Sequence, residues 1–255
     1  MEIVICSTPE EAGEVAAARV AQVVKQAGPT AVLGVATGSS PLALYEGLTR
    51  RVEAGSLDLS QASAFALDEY VGLPAGDPNS YAATLDKTVT VPLKMNPANV
   101  HVPDGAAADL QQACEDYEAA IKAAGGVDVQ ILGIGSNGHI GFNEPSSSLA
   151  SRTRIKTLNE RTREDNARYF ASIDDVPRHC LTQGLGTIMD ARAVVLVAQG
   201  EGKADAVAAL AEGPVSTMCP GSILQMHRTV TVVVDEAAAS KLKLRARITS
   251  SIRRY

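Results

Sequence analysis

Apolar runs alternate with amphipathic segments along the chain, which is the pattern of strands and helices in turn. The segments 31–36 and 193–198 are continuously apolar, which is typical of strands buried on both faces of a parallel sheet. Shorter strands are predicted at 3–6, 63–67, 100–102, 127–132 and 229–234. Helices are predicted between them, at about 9–27, 41–53, 80–89, 109–124, 160–170, 179–189 and 203–210. This alternation predicts a doubly wound, mostly parallel sheet flanked by helices.

Length and composition fit a single α/β domain over residues 1–255. Apolar residues make up 45% of the chain and charged residues 20%, which is ordinary for a globular protein. No linker, internal repeat or low-complexity segment divides the sequence. We therefore expect one three-layer, Rossmann-like unit, and we expect the basic end at 241–255 to be a surface helix or a frayed end.

Charge and cysteine content narrow the range of partners. The formal net charge of −6 provides no basic surface for nucleic acid. No apolar run approaches the roughly 20 residues of a membrane span. The four cysteines lack C-x-x-C spacing, so they indicate neither a zinc site nor a disulfide framework. The N-terminal residues do not resemble a secretory signal. These features predict a cytoplasmic protein that acts on a small molecule.

The strongest chemical signal is the segment 131–145, which turns through glycines after an apolar run and presents Asn137, His139 and Glu144. Ligands in open α/β sheets bind outside the carboxyl ends of the strands, where this loop is expected. A carboxylate close to an imidazole orients it and adjusts its basicity. The segment also contains a G-x-G-x-x-G pattern, but no helix signal follows it, which argues against a dinucleotide site.

Polar residues follow other predicted strands as well. The segment 37–40, Thr-Gly-Ser-Ser, precedes a helix start, where anions bind; an ordinary capped turn fits the same residues equally well. Asp68 and Glu69 follow the strand at 63–67, and either a general base or a solvated acidic turn is compatible with them. Lys203 lies at a helix start, where its charge opposes the helix dipole unless an anion is close by.

A row of basic residues alternates with apolar ones near the middle of the chain. Arg152, Arg154 and Lys156 are predicted to project from one face of an exposed edge strand. Such a row is usually a solvated surface, but beside serines it can also hold a phosphate. His101, in a short predicted strand, is expected to be structural.

Four segments together resemble the glucosamine-6-phosphate deaminase family, which shares its fold with 6-phosphogluconolactonases. In the family's order they are LGVATGSSP at 33–41, LDEYVGLP at 67–74, GIGSNGHIGFNEP at 133–145 and SRTRIKT at 151–157. The resemblance implies conversion of glucosamine 6-phosphate and water to fructose 6-phosphate and ammonia, in amino-sugar catabolism. This is an aldose–ketose isomerisation coupled to hydrolytic loss of the amine, and it implies no metal or organic cofactor.

The resemblance also implies roles for the candidate residues. His139 assists opening of the pyranose ring, supported by Glu144 and Asn137. Asp68 moves a proton between C2 and C1 through an enolamine. The residues implied to bind the substrate phosphate are Thr37, Gly38, Ser39, Ser40, Arg168 and Lys203.

A second phosphate site is implied by the allosteric members of the family. They are activated by N-acetylglucosamine 6-phosphate, which binds between subunits, and Ser147, Arg154 and Lys156 match the positions of that site. The resemblance therefore implies an activator and a homo-oligomer, such as a hexamer. One departure concerns Asn137, where many members carry Asp. A neutral amide can orient His139 but cannot stabilise its cation by charge.

Two other functions are compatible with the sequence. A 6-phosphogluconolactonase-like hydrolase uses a related glycine-rich histidine loop, but lactone hydrolysis has no need of a dedicated base such as Asp68. A non-catalytic sugar-phosphate sensor would normally carry a DNA-binding module, and Asp68, His139 and Glu144 together favour catalysis. Galactosamine 6-phosphate is an alternative substrate, because the contacts that separate the two epimers are not visible in the sequence.

Overall fold

The computed structural model describes residues 1–244. The expected surface helix or frayed end beyond residue 244 lies outside the described residues. The strands are β1 (Glu2–Cys6), β2 (Val32–Val35), β3 (Ser63–Ala66), β4 (Asp68–Tyr70), β5 (Val100–His101), β6 (Val129–Leu132), β7 (Arg154–Thr157), β8 (His179–Thr182), β9 (Ala193–Ala198) and β10 (Val230–Asp235). The α-helices are α1 (Pro9–Ala27), α2 (Leu42–Glu53), α3 (Tyr81–Leu85), α4 (Leu110–Ala123), α5 (Glu160–Asn166), α6 (Leu185–Met189) and α7 (Ala204–Glu212).

In the described chain, seven strands form a parallel sheet in the order β1-β10-β9-β6-β2-β3-β5, here called sheet A. All its neighbouring strands run parallel. The central strands β2, β6 and β9 are buried along their whole length, which accounts for their largely apolar sequences. The predicted doubly wound, mostly parallel α/β fold is confirmed.

Two apolar clusters cover the two faces of sheet A. One joins helices α1 and α2 to side chains such as Leu33 and Ile131. The other joins α4, α6 and α7 to side chains such as Leu132 and Leu196 on the opposite face. All four side chains are fully buried, and burial of such side chains is worth about 1.5–3 kcal/mol each before entropy is subtracted. Sheet A is therefore a rigid base for the loops at its carboxyl edge.

A second sheet was not predicted from the sequence. Strands β4, β8 and β7 form a three-stranded antiparallel sheet in that order, here called sheet B. The predicted helix at 179–189 is wrong, because 179–182 form the central strand of sheet B and only 185–189 are helical. Between them, Gly184 packs so closely on the backbone of Ser151 that a Cβ would overlap it. The strands that pair with β8 lie far away in sequence, so no local pattern predicts this strand.

The solvated acidic turn considered for Asp68 and Glu69 is also wrong, since both residues are buried in β4. The Glu69 carboxylate accepts hydrogen bonds from the backbone N–H groups of Tyr70, Tyr81 and Ala82, at 2.8–3.0 Å. Two of these donors lie at the start of α3, whose first-turn N–H groups have no partner within the helix. Glu69 is therefore a structural cap.

The predicted edge strand is confirmed as β7, which pairs only with β8 among the described strands. Arg154 and Lys156 lie on one face of β7 because side chains alternate along a strand. Arg152 does not join them, as it precedes the strand and forms 2.6 Å ion pairs with Glu118 and Asp190. The prediction that Arg152 belongs to the basic row is therefore wrong.

None of the helices within residues 1–244 combines the length and apolarity needed to cross a membrane.

Candidate active site

A pocket of about 240 Å³ lies at the carboxyl edge of sheet A. Its position follows from the topology, since the chain proceeds from β2 toward β3 on one side and from β6 toward β9 on the other. The loops after β2 and β6 therefore diverge, and a crevice forms at such a switch point. The predicted residues that line it are Thr37, Gly38, Ser39, Ser40, Asp68, Asn137, His139, Arg168 and Lys203.

The loop at 37–40 approaches the loop after β6 closely. Gly38 has a φ of +95°, a conformation that glycine adopts without strain. In the described structure no side chain caps the start of α2 at Pro41, so N–H groups of its first turn have no side-chain acceptor. Two cations line the same pocket: Lys203 immediately precedes α7, and Arg168 follows α5 in a 3₁₀ turn.

The Asn137 amide connects His139 to Glu144. Its Nδ2 lies 2.7 Å from Glu144 Oε2, and its Oδ1 lies 2.8 Å from His139 Nδ1. An ionised carboxylate only accepts hydrogen bonds, so the amide nitrogen must face Glu144 and the amide oxygen must face the imidazole. His139 Nδ1 is then the donor, which leaves Nε2 of the neutral ring as an acceptor.

Glycine at position 135 makes room for this arrangement, because a Cβ there would overlap the His139 ring. This second glycine of the G-x-G-x-x-G pattern thus allows the imidazole to lie against the backbone. Glu144 Oε1 lies 3.5 Å from His139 Nδ1, close enough for its charge to act on the ring. Oε1 also accepts a 2.6 Å hydrogen bond from the Thr162 hydroxyl.

Glu144 is ionised at neutral pH in spite of its burial. Burial by itself raises its pKa, but the hydrogen bond and charge of His139, together with hydrogen bonds from Thr162 and Asn137, outweigh this effect and lower the pKa to about 2. Glu144 therefore provides a permanent negative charge close to the imidazole. This charge stabilises the positive charge that forms when His139 accepts a proton.

Asp68 shows the opposite behaviour. Burial, and to a lesser extent the charge of Glu69, raise its pKa to about 8. Asp68 is the first residue of β4, where the chain passes from sheet A to sheet B, and it reaches the pocket beside Gly141. A carboxyl group in such surroundings is suited to exchange a proton with a substrate near neutral pH.

The residues expected at a second phosphate site do not line this pocket. Ser147 is buried and Arg154 half-buried, and within the described residues Ser147 Oγ and Arg154 Nη2 have no hydrogen-bond partner. Lys156 lies two residues further along β7. Arg154 Nη1 donates to Asn143 Oδ1 at 2.8 Å, so this group touches the loop that carries His139 and Glu144.

Three residues that line the pocket, Tyr81, Thr162 and Asn166, lie outside the sequence segments that were expected to form the site. Thr162 and Asn166 are four residues apart on α5 and so lie on one face of it. That spacing, just ahead of the predicted Arg168, is the signal that could have identified them. Among the side chains that the structure describes, no group of three or more His, Cys, Asp or Glu residues is arranged to hold a metal ion.

Known proteins resemble this chain over most of its length. Residues 7–233 match the family model described as glucosamine-6-phosphate isomerases/6-phosphogluconolactonase. The chain is 61% identical to a glucosamine-6-phosphate deaminase of Cutibacterium acnes, over 96% of this chain and 93% of the relative. It is 58% identical to the glucosamine-6-phosphate deaminase of Streptomyces coelicolor, over 96% and 94% of the two chains.

Solved structures agree with these relatives. A monomeric glucosamine-6-phosphate deaminase superposes with a TM-score of 0.91 at 43% identity, covering 94% of this chain and all of the other. A 6-phosphogluconolactonase from Trypanosoma brucei has a TM-score of 0.71 at 18% identity, over 94% and 98% of the chains. The second likeness shows a shared fold only.

Proposed function

The chain belongs to the family of glucosamine-6-phosphate isomerases and 6-phosphogluconolactonases, and we infer that it is an enzyme of the deaminase branch. Its reaction converts glucosamine 6-phosphate and water to fructose 6-phosphate and ammonia. The observation that carries this choice is Asp68, a buried acid whose pKa is raised to about 8 and which shares a pocket with His139. Proton transfer between carbon atoms requires such a base, whereas lactone hydrolysis does not.

Ring opening is the proposed task of His139. Its unprotonated Nε2 accepts the proton of the C1 hydroxyl and returns it to the ring oxygen as the C1–O5 bond breaks, which gives the open-chain aldehyde. While it holds this proton, the His139 imidazole is positively charged, and the negative charge of Glu144 stabilises it. Asn137 holds the imidazole in the tautomer that this step requires.

Isomerisation is the proposed task of Asp68. Its carboxylate removes the proton from C2 of the open-chain amino sugar while the protonated amine passes one proton to the C1 aldehyde oxygen, which gives the enolamine. Asp68 then delivers the C2 proton to C1. The product is an iminium ion at C2, which water hydrolyses with release of ammonia. The raised pKa of Asp68 suits both halves of the transfer, and a protonated substrate amine nearby favours the carboxylate form that begins it.

The phosphate of the substrate is proposed to bind to the loop at 37–40, which lines the same pocket. The backbone N–H groups and hydroxyls of 37–40 are donors near the start of α2, and anions bind at such helix starts. Lys203 and Arg168 supply positive charge. A bound phosphate also explains a lysine at the start of α7, where its charge otherwise opposes the dipole.

The test of this function measures release of ammonia and fructose 6-phosphate from glucosamine 6-phosphate, with galactosamine 6-phosphate and 6-phosphogluconolactone as rival substrates. Asp68→Asn should lower kcat by about 10²- to 10⁴-fold, the usual contribution of a general base. The exposed Asp116→Asn is the matched control and should leave kcat unchanged. Turnover of the lactone alone would overturn the proposal, and binding without turnover would identify a sensor.

Activation by N-acetylglucosamine 6-phosphate is proposed through Ser147, Arg154 and Lys156. The support is physical: a buried hydroxyl and a buried guanidinium nitrogen have no partner within the described residues, and Arg154 contacts the loop of the catalytic groups through Asn143. At low substrate concentration the activator should raise the rate. A rate that does not respond would remove this part of the proposal.

We also propose an assembly and a location for the protein. Family analogy favours a homo-oligomer such as a hexamer, whereas one similar solved deaminase is described as monomeric. Analytical ultracentrifugation separates the two, since the monomer mass is 26.5 kDa. A cytoplasmic location is supported by the free, buried thiols of Cys6, Cys114 and Cys180, which suit a reducing compartment. The net charge of −6 supports the absence of a nucleic-acid partner.

A further inference from the structure

Thr162 contributes a hydrogen bond to the site from an element that sequence reasoning did not associate with catalysis. Its hydroxyl donates to Glu144 Oε1 at 2.6 Å, and the residue is only 8% exposed. Oε1 is the carboxylate oxygen that faces His139, and the other oxygen accepts from Asn137. Thr162 and Asn137 thus each hold one of the two oxygens of Glu144.

We propose that Thr162 is a positioning residue of this site: its hydroxyl holds Glu144 in the orientation that fixes the Asn137 amide and, through it, the Nδ1-protonated tautomer of His139. The inference rests on the proposed role of His139. Thr162 acts through Glu144 and takes no part in proton transfer itself.

Helix α5 is anchored independently of this hydrogen bond. At its start, Asn159 Oδ1 accepts from the Thr162 backbone N–H at 2.7 Å. At its end, the Asn166 amide donates to the Tyr70 hydroxyl at 2.9 Å. Because both ends are held without the Thr162 hydroxyl, the bond to Glu144 orients the carboxylate rather than the helix.

Loss of the Thr162 hydroxyl allows the Glu144 carboxylate to take other orientations. Without the Thr162 hydroxyl, the carboxylate can rotate so that Oε2 leaves the Asn137 amide nitrogen. The amide is then free to turn over and present Nδ2 to His139 Nδ1, which accepts that hydrogen bond and leaves the ring proton on Nε2. Threonine suits the task because its branched side chain has few χ1 rotamers and so delivers the hydroxyl in one direction.

The test compares Thr162→Val, which keeps the shape and removes the donor, with Thr162→Ser, which keeps the donor. Thr162→Val should lower kcat about tenfold, as expected for a lost hydrogen bond to a charged group, and leave KM within about twofold. Thr162→Ser should stay within about threefold of the wild type. If the valine variant does not fold, Thr162→Ala takes its place.

Thr187→Val is the matched control. The Thr187 hydroxyl donates to the half-buried Glu118 at 2.5 Å, which is the same kind of bond, but neither residue lines the active-site pocket. Thr187→Val should lower the stability of the protein about as much as Thr162→Val and leave kcat unchanged. The direct readout is ¹⁵N NMR of the His139 ring, assigned with His139→Gln: the wild type should show the Nδ1-protonated tautomer, and Thr162→Val a mixture of tautomers.

An unchanged tautomer and kcat in Thr162→Val, with a loss of thermal stability equal to that of Thr187→Val, would overturn the inference in favour of a structural role. A wild-type ring protonated on Nε2 would also overturn it. The proposed function fails separately, if the wild type releases no ammonia from glucosamine 6-phosphate, and the tautomer measurement does not depend on that result.

Discussion

Asp68 and Glu144 are two buried acids of one site whose pKa values are shifted in opposite directions. Burial, followed by the charge of Glu69, raises the pKa of Asp68 to about 8. Burial also raises the pKa of Glu144, but His139, Thr162 and Asn137 more than reverse this and bring it to about 2. The difference lies in the donors around each carboxylate. It leaves one acid as a fixed charge and the other as a proton acceptor.

The raised pKa of Asp68 predicts a stability cost that depends on pH. In the unfolded chain this group loses its proton near pH 4, whereas the folded protein retains it up to about pH 8. The folded state therefore loses stability as pH rises between these values, and the loss is complete above pH 8. Asp68→Asn should raise Tm markedly at pH 9, less at pH 6, and hardly at all at pH 4.

Thermal unfolding at these three pH values checks the prediction, with the exposed Asp116→Asn as the control that should not change Tm. A variant that gains the same Tm at every pH would show that the ionisation of Asp68 is not the cause. Since the same substitution should remove activity, stability and catalysis conflict at this residue.

Asn137 offers a second prediction at this scale. Asn137→Asp replaces the donor to Glu144 by a second carboxylate next to His139. The added negative charge favours the protonated imidazole, so the pH optimum of kcat should move to higher pH. A pH–rate profile for the variant and the wild type decides this, and superimposable profiles would contradict it.

Elements were predictable where the signal is local. The buried runs that became β2 and β9 and the polar loops after β2 and β6 are read correctly from residue order. Strand β8 was not, because its four residues have no period of their own and its partners come from distant parts of the chain. The contribution of α5 to the pocket was partly missed for the same reason, since tertiary contacts alone bring Thr162 to Glu144.

Glu69 carries a prediction about the position of an element. Its carboxylate accepts three backbone N–H groups, two of them at the start of α3, where Tyr81 lines the pocket. A Gln side chain has one acceptor oxygen, so Glu69→Gln should cost about 1–3 kcal/mol of unfolding free energy. It should also reduce kcat/KM, because Tyr81 is displaced.

Urea unfolding and steady-state kinetics measure the two effects. Ser80→Ala is the comparison, as it removes the other α3 cap, the hydroxyl that accepts from Ala83, at a cost of about 1 kcal/mol. Equal stability of Glu69→Gln and the wild type would mean that the three hydrogen bonds are replaced by solvent contacts and that the cap is not needed.

At the scale of the whole molecule, the topology determines where chemistry occurs. The diverging loops after β2 and β6 create the crevice, and sheet B provides Asp68 at its rim. The alternation of strands and helices was sufficient to predict the sheet, because each buried strand identifies itself by composition. Strand order, sheet B and the contents of the pocket depend on contacts between distant residues, which a single sequence does not display.

The division into two sheets has a consequence for how the protein loses activity. Sheet B rests on a small cluster that includes Tyr70, Phe142, Leu158 and Cys180, whereas sheet A lies between two much larger ones. Regions with few buried contacts open locally at a lower free energy than the core. Backbone amides of β4 and β8 should exchange with deuterium before those of β6 and β9, and urea should abolish turnover before the far-ultraviolet circular dichroism changes. The protein can thus be folded and inactive at once.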